Sequence, residues 1–293
     1  MKEIRIKNKI ISNNSPIFVI AEIGINHNGS LETAKKLIDM ANICGVDAVK
    51  FQKRTPEICV PDHKKNLIYE TPWGDITYIE YKKKIEFWET EYKEIDNYCN
   101  LEKNLIWFAS PWDLPSVDFL EKFNIPCYKI ASAKLTDREL LEKISKLNKP
   151  IFLSLGMSTE GEIEKAVKIL NDNKLVLLHC NSCYPAPDED LNLSYIRKLK
   201  NKYPDHIIGY SGHEYGITAS IIAAQMGAKV IERHITLDRA MWGSDQAASI
   251  EFSGLRRLIR DLKKIEIWGG DGIKRVTKLE QIVRDKLRDK NTL

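Results

Sequence analysis

Eight short apolar runs rich in β-branched residues, each separated from the next by a segment of helical period, constrain this chain more than any other feature. The runs are "IFVIAEIG" (17–24), "DAVKFQ" (47–52), "LIWFAS" (105–110), "CYKIAS" (127–132), "PIFLSLG" (150–156), "LVLLHC" (175–180), "IIGYS" (207–211) and "KVIERHIT" (229–236). A strand covered on both faces reads as a nearly unbroken apolar run, and parallel strands need a crossover helix between them. The intervening segments supply those helices. In "SLETAKKLIDMANICG", Ser30 and Thr33 form a start signal and Gly45 a stop. In "STEGEIEKAVKILND" (158–172), Ile163, Val167 and Leu170 share one face. With an eighth helix at 250–267, the count predicts the α/β class and a single-domain (β/α)₈ TIM barrel over residues 1–268. A doubly wound sheet would open with a Gly-rich phosphate turn, and "GINHNGS" lacks the G-x-G-x-x-G spacing. Residues 53–86 are too many for an ordinary βα loop and read as a long lid or binding loop. Residues 269–293 read as a polar C-terminal surface helix or tail.

Composition narrows the function. The 293 residues carry a nearly balanced formal charge of +4, with no long basic block, which argues against nucleic acid as the ligand while suiting small anionic substrates. No stretch approaches the ~18 apolar residues of a membrane span, and the first twenty residues lack a signal-peptide core, so the expectation is a soluble, cytoplasmic protein with no membrane partner. The six cysteines are scattered, and "CNSC" (180–183) has no second pair at zinc spacing, so reduced thiols are expected.

Catalytic groups of such a barrel gather at the C-terminal ends of its strands, and polar residues recur there. "VIERHIT" (230–236) shows the pattern: alternation puts Val230, Glu232 and His234 on one face and Ile231, Arg233 and Ile235 on the other, so a carboxylate and an imidazole follow an apolar residue inward. Other strand ends carry Glu22 with Asn26 and His27, Lys50 with Gln52, Lys129 with Ser132, Ser154, His179 with Ser182 and Tyr184, and Ser211 with His213. His179, inside an apolar strand, fits a satisfied core histidine. Glu232 has a structural alternative as a partner of Arg233. Trp112 and Trp242 suit packing as well as substrate contact. His213 and His234 end adjacent strands and are candidates for a shared metal.

"AEIGINHNG", "VKFQ", "KIAS", "LHCNSCYPAP", "GYSGHEYG" and "IERHITLDRAMWGSDQ", in this order, resemble the barrel domain of the N-acetylneuraminate (sialic acid) synthases, from about residue 16 to 285. The resemblance implies a transferase that condenses phosphoenolpyruvate with an aldose to give a 2-keto-3-deoxy acid and phosphate. It implies metal ligands at His213 and His234 for a divalent ion, Mn²⁺ first with Mg²⁺ or Co²⁺ as alternatives. It implies phosphoenolpyruvate contacts at Lys50, Lys129, Ser132, Ser154, Ser182 and Ser211, sugar contacts at Gln52, Tyr184 and Asp245, catalytic acids at Glu22 and Glu232, and a homodimer. The rival classes are a Schiff-base sugar-acid aldolase acting through Lys129 or Lys50 and a non-catalytic sugar-acid binding protein.

Three departures from the family pattern shape the expectations. Gly212 stands where the family usually has an aspartate before the metal histidine, and Gln246 stands where it usually has a histidine after the sugar-binding acid. The family also continues into a small antifreeze-like domain that supplies an arginine to the N-acetylated sugar, and this chain stops at Leu293, where that domain would begin. The expectation is an aldose other than N-acetylmannosamine, selected by the 53–86 loop with Tyr69, Trp73 and Tyr78 and by the loop carrying Arg239, Trp242, Asp245 and Gln246.

Overall fold

The computed structural model describes residues 3–170 and 174–288. An N-terminal hairpin, β1 (Ile4–Ile6) and β2 (Lys9–Ile11), buries Ile4, Ile6 and Ile11 in the core. It precedes the first predicted run and was not foreseen, since three-residue strands leave too short a pattern to read. The eight predicted runs then form parallel strands: β3 (Phe18–Gly24), β4 (Ala48–Lys53), β7 (Ile106–Pro111), β8 (Tyr128–Ile130), β9 (Ile151–Ser154), β10 (Leu175–His179), β11 (Ile207–Gly212) and β12 (Val230–His234). The strands β5 (Ile68–Thr71) and β6 (Gly74–Thr77) lie apart as an antiparallel hairpin. Pairing of β12 with β3 brings the last strand of the barrel to the first, and β7 and β8 lie side by side without a shared ladder. The result is a nearly closed (β/α)₈ barrel.

Local signals produce the helices that cover it. Ser30 accepts from the Thr33 N–H and Gly45 ends the helix Leu31–Cys44 in the left-handed conformation at φ 81°, which a residue without Cβ adopts freely. That helix buries Ala34, Leu37, Ile38 and Ala41 against the strands. The expected helix at 158–172 is Glu160–Leu170 with Ile163, Val167 and Leu170 buried, and positions 171 and 172 lie outside the described residues.

Inside the barrel, aromatic packing gives way to a polar layer one pleat further on. Phe18 stacks on Phe152 and Phe152 on Phe108 at centroid distances of 6.2 and 5.5 Å. Two residues later on the same side stand Ser154 and Ser110, both buried. Beyond them the cavity opens towards the loops.

The stretch 53–86 is structured. Two single helical turns, Pro56–Cys59 and Asp62–Lys65, lead into the β5–β6 hairpin and the helix Tyr78–Ile85, whose Thr77 and Glu80 form a reciprocal capping box. Tyr81 collects this insertion onto the barrel loops: it stacks on Tyr69 at 5.3 Å and meets the edge of Trp242 at 5.1 Å, with Trp73 5.7 Å from Trp242. The helix Phe252–Gly269 completes the covering ring, and Lys278–Leu287 follows as a helix with no buried residue. No helix of the described residues is long and apolar enough to cross a membrane.

Candidate active site

Strand register places the site residues before any side chain is considered. Ser211 lies beside Glu232, His234 beside Glu22, and Glu22 beside Lys50, so four neighbouring strands deliver a hydroxyl, two acids, an imidazole and an amine to two successive inward-facing levels. A register shift between Glu22 and Gly24 then bends β3 at the rim. Gly24 sits at φ 55°, where an added Cβ would lie 3.2 to 3.3 Å from Gln52, Glu22 and His234. The site therefore closes directly over this backbone.

One cavity is lined by Glu22, Lys50, Gln52, Lys129, Ser132, Ser154, Ser182, Tyr184, Ser211, His213, Glu232 and His234. Asp245 stands at its edge, 3.8 Å from His234 Nδ1. At its floor two lysines and two glutamates are almost wholly buried. Lys50 Nζ lies 2.8 Å from Glu22 and 3.9 Å from Glu232, and Lys129 Nζ lies 3.4 Å from Glu232. Lys50 also donates to the Ser110 hydroxyl at 3.1 Å, Ser211 donates to Glu232 at 3.0 Å and Gln52 donates to Glu22 at 2.9 Å. Burial alone would raise the Glu232 pKa; Lys129, then Lys50 and His234, together with the Ser211 hydroxyl, outweigh it and keep the carboxylate ionised well below the usual range. Burial, aided by repulsion from Lys50, lowers Lys129 against the pull of Glu232. Folding four charges into an interior is costly unless each finds a partner, and here two ammoniums balance two carboxylates, so an incoming anion would have to displace a carboxylate from a lysine.

A second set of donors sits beside the lysines. The Gly156 N–H donates to Ser132 Oγ at 3.1 Å, and a Cβ at Gly156 would fall 2.3 Å from Ser182 Oγ and 2.9 Å from Ser132 Oγ. This glycine was not among the expected residues. Its signal, a Gly two residues after Ser154, became readable only when the hydroxyls around it were placed. The Ser154 hydroxyl is buried without a partner.

The two histidines stand 5.4 Å apart between ring centroids. His213 Nδ1 lies 2.5 Å from the Asn181 carbonyl, which assigns the proton to Nδ1, and the Tyr184 hydroxyl donates to Nε2 at 2.9 Å. Burial first, and then His234, push His213 down to about 3, so its imidazole is neutral. His234 Nδ1 is buried with no hydrogen-bond partner. An imidazole held neutral with its tautomer fixed, beside a second with an orphaned nitrogen and a nearby carboxylate, fits a divalent cation. Among the described residues no three His, Cys, Asp or Glu groups form a closed cage, so water or substrate must complete any coordination.

Several other polar residues turn out to build the scaffold. Arg233 is fully buried on the outer face of β12 and bonds to Glu214 Oε1 at 2.6 Å, the Glu214 carbonyl at 2.6 Å and Ser220 at 3.0 Å, so it is Glu214 and not Glu232 that pairs with it. Tyr210 donates to the same Glu214 at 2.7 Å. Glu214 also explains Gly212, because a Cβ there would lie 2.7 Å from the Glu214 carboxylate. Gln246 is buried and donates to the Asn26 carbonyl at 3.2 Å, tying two loops together rather than facing the cavity. Asn26 holds Ile235 and Ser249, His27 stacks on Phe87 at 3.9 Å, and His179 bonds the Leu191 carbonyl at 2.8 Å. Trp112 lines the cavity and carries the Arg54 guanidinium 4.0 Å from its ring centre. All six cysteines are free.

Comparison with known proteins agrees with the resemblance. Residues 37–274 match the NeuB family. The human N-acetylneuraminate-9-phosphate synthase is 40% identical over 277 residues, covering 93% of this chain and 76% of that protein. The N,N'-diacetyllegionaminic acid synthase of Campylobacter jejuni is 40% identical over 280 residues, covering 92% and 83%. The crystal structure of an N-acetylneuraminic acid synthetase from Leptospira borgpetersenii in complex with citrate superposes with a TM-score of 0.85 at 34% identity, covering 99% of this chain and 98% of that one. The chain belongs to the NeuB family of sialic acid synthase-like enzymes.

Proposed function

We propose that the protein joins phosphoenolpyruvate to the aldehyde carbon of an aldose, giving a 2-keto-3-deoxy sugar acid and phosphate. The observation that carries this reading is the single cavity in which two buried lysines and a hydroxyl and N–H cradle lie against two carboxylates and two imidazoles. Phosphoenolpyruvate brings a phosphate and a carboxylate on adjacent atoms. Lys50 and Lys129 supply the two cations, and Ser132, Ser154, Ser182 and the Gly156 N–H supply directional donors. The bond forms between C3 of phosphoenolpyruvate and C1 of the open-chain aldose. Positive charge then develops at C2, which Glu22, held by Lys50 and Gln52, is placed to stabilise. The former aldehyde oxygen takes up one proton to become a hydroxyl, water adds at C2 and gives one up, for which Glu232 is the second available carboxylate, and the C2–O bond to phosphate breaks as the C2 carbonyl forms. His213 and His234 would hold a divalent ion, which when bound polarises the aldehyde oxygen. Glu22, Gln52 and Tyr184 orient the sugar on the opposite side from the serine cradle.

The test is phosphate release from phosphoenolpyruvate with Mn²⁺ and a panel of aldoses. Turnover should appear with at least one aldose, vanish after exhaustive chelation and return with Mn²⁺, and calorimetric Mn²⁺ binding should be lost in His213→Ala. Absence of phosphate release with every aldose refutes the reading. The lowered pKa of Lys129 favours one rival, in which that amine forms a Schiff base with a keto acid; borohydride trapping of an adduct on Lys129 would select it.

A further inference from the structure

The two imidazoles of the site do not offer their lone pairs equally. His213 directs its Nδ1 proton to the Asn181 carbonyl at 2.5 Å, so Nε2 is the one nitrogen of that ring with a lone pair to give. That lone pair is already in use, because the Tyr184 hydroxyl donates to it at 2.9 Å. His234 Nδ1, by contrast, is buried with no hydrogen-bond partner. The Tyr184 ring completes a triangle with the two histidines, 4.1 Å from the His213 ring centre at 34° and 5.5 Å from that of His234 at 87°. The backbone on both sides of the tyrosine is tied down. The Asn181 carbonyl holds His213 Nδ1, the Asn181 side chain accepts the Cys183 N–H at 2.8 Å, and the Ala186 N–H donates to the His213 carbonyl at 3.1 Å. The Tyr184 side chain itself has no such tie: it is 43% exposed, and among the described residues its hydroxyl bonds to His213 alone. Rotation about χ1 removes the hydroxyl while the imidazole stays in place.

A nitrogen lone pair that accepts a hydrogen bond cannot at the same moment coordinate a cation. Resting on the metal placement of the condensation reading, we propose that Tyr184 is a gate on the metal site: its hydroxyl and the divalent ion compete for His213 Nε2, and the ion engages both imidazoles only when the tyrosine swings aside. The bond it must break joins two neutral groups, so the gate weakens metal binding without preventing it. The hydroxyl released in this way is the one that the condensation reading assigns to the sugar, so metal entry frees a group that receives the acceptor. His234, with its orphaned nitrogen, needs no such displacement.

Calorimetry of Mn²⁺ binding to the wild type, Tyr184→Phe and His213→Ala, with no substrate added, tests this without requiring turnover. Tyr184→Phe keeps the ring and removes only the competing hydroxyl, so it should bind Mn²⁺ about fivefold more tightly than the wild type, the equivalent of one neutral hydrogen bond of about 1 kcal/mol. A tyrosine that merely packs in the site would not produce that gain. A second measurement on the wild type stands even if the variant fails to fold: saturation with Mn²⁺ should perturb the tyrosine ultraviolet absorption band, as expected of a phenol that loses its imidazole acceptor. Unchanged or weaker Mn²⁺ affinity in Tyr184→Phe, or a wild-type tyrosine band that does not respond to Mn²⁺, overturns the gate. The two readings fail separately. Mn²⁺ binding lost in His213→Ala but unaltered in Tyr184→Phe sinks the gate and keeps the metal placement, whereas Mn²⁺ binding retained in His213→Ala sinks the metal placement and the gate with it.

Discussion

At the scale of single residues, it is facing the cavity, and not burial alone, that separates the ionisable groups available for chemistry from the structural ones. His27 shows the structural case. Burial, opposed by a bond to the Gly24 carbonyl, holds it down to about 3, and its Nδ1 accepts the Gly29 N–H at 3.1 Å. The folded imidazole stays neutral where the unfolded one, with an ordinary pKa near 6.5, takes up a proton. Its contribution to stability is therefore fully present above about pH 6.5 and is lost as pH falls towards about 3, at roughly 1.4 kcal/mol per pH unit. Urea unfolding at pH 6.5 and 5 should show the wild type losing about 2 kcal/mol more than His27→Gln over that interval. Parallel losses in both proteins would mean that His27 does not titrate this way. His27 and His213 are equally depressed, yet only His213 faces the cavity, so a shifted pKa by itself does not mark a catalytic group.

At the scale of elements, each barrel strand is a two-sided device. β12 sends Glu232 and His234 inward and Arg233 outward, where it ties the strand to Glu214 and to Ser220 of the helix Thr218–Gln225. Arg233→Met leaves the Glu214 carboxylate buried and uncompensated and should cost about 3–5 kcal/mol in urea unfolding, with part of that recovered in Arg233→Met/Glu214→Gln. Phosphoenolpyruvate affinity should not change in whatever fraction folds, because Arg233 does not reach the cavity; weakened binding in the folded variant would contradict that division of labour. The inserted segment works differently. Tyr69, Trp73 and Tyr81 gather around Trp242 from the last long loop, so two loops distant in sequence form one aromatic wall.

At the scale of the whole molecule, stability resides in the barrel and its covering helices. Every residue from 271 to 288 is exposed, and the helix Lys278–Leu287 buries none of its apolar side chains. Truncation after Gly270 should therefore shift the urea unfolding free energy by less than about 0.5 kcal/mol. A loss above about 2 kcal/mol would show that the segment covers the barrel in solution.

Much of this architecture was legible in the chain. Parallel strands covered on both sides must be apolar, and the two-residue alternation alone placed Glu232 and His234 on one face with Arg233 on the other. The strand ends likewise marked the residues that line the cavity, because a barrel has one rim where inward side chains cease to pack on each other. Other features had no local signal. The hairpin β1–β2 is too short for a period to show, and the 53–86 stretch spells no single period because its helical turns and strands are four residues each. Glu214 as the partner of Arg233, Gln246 as a loop tie and Gly156 as the centre of the hydroxyl cradle are decided by approach between segments 10 to 220 residues apart. Which cation finds a carboxylate and which does not is likewise set by distance in space. Periodicity records which way a side chain points, whereas pairing depends on what the folded chain brings to meet it, and that is why Lys50 and Arg54, four residues apart in sequence, end with one matched to Glu22 and the other unmatched beside Trp112.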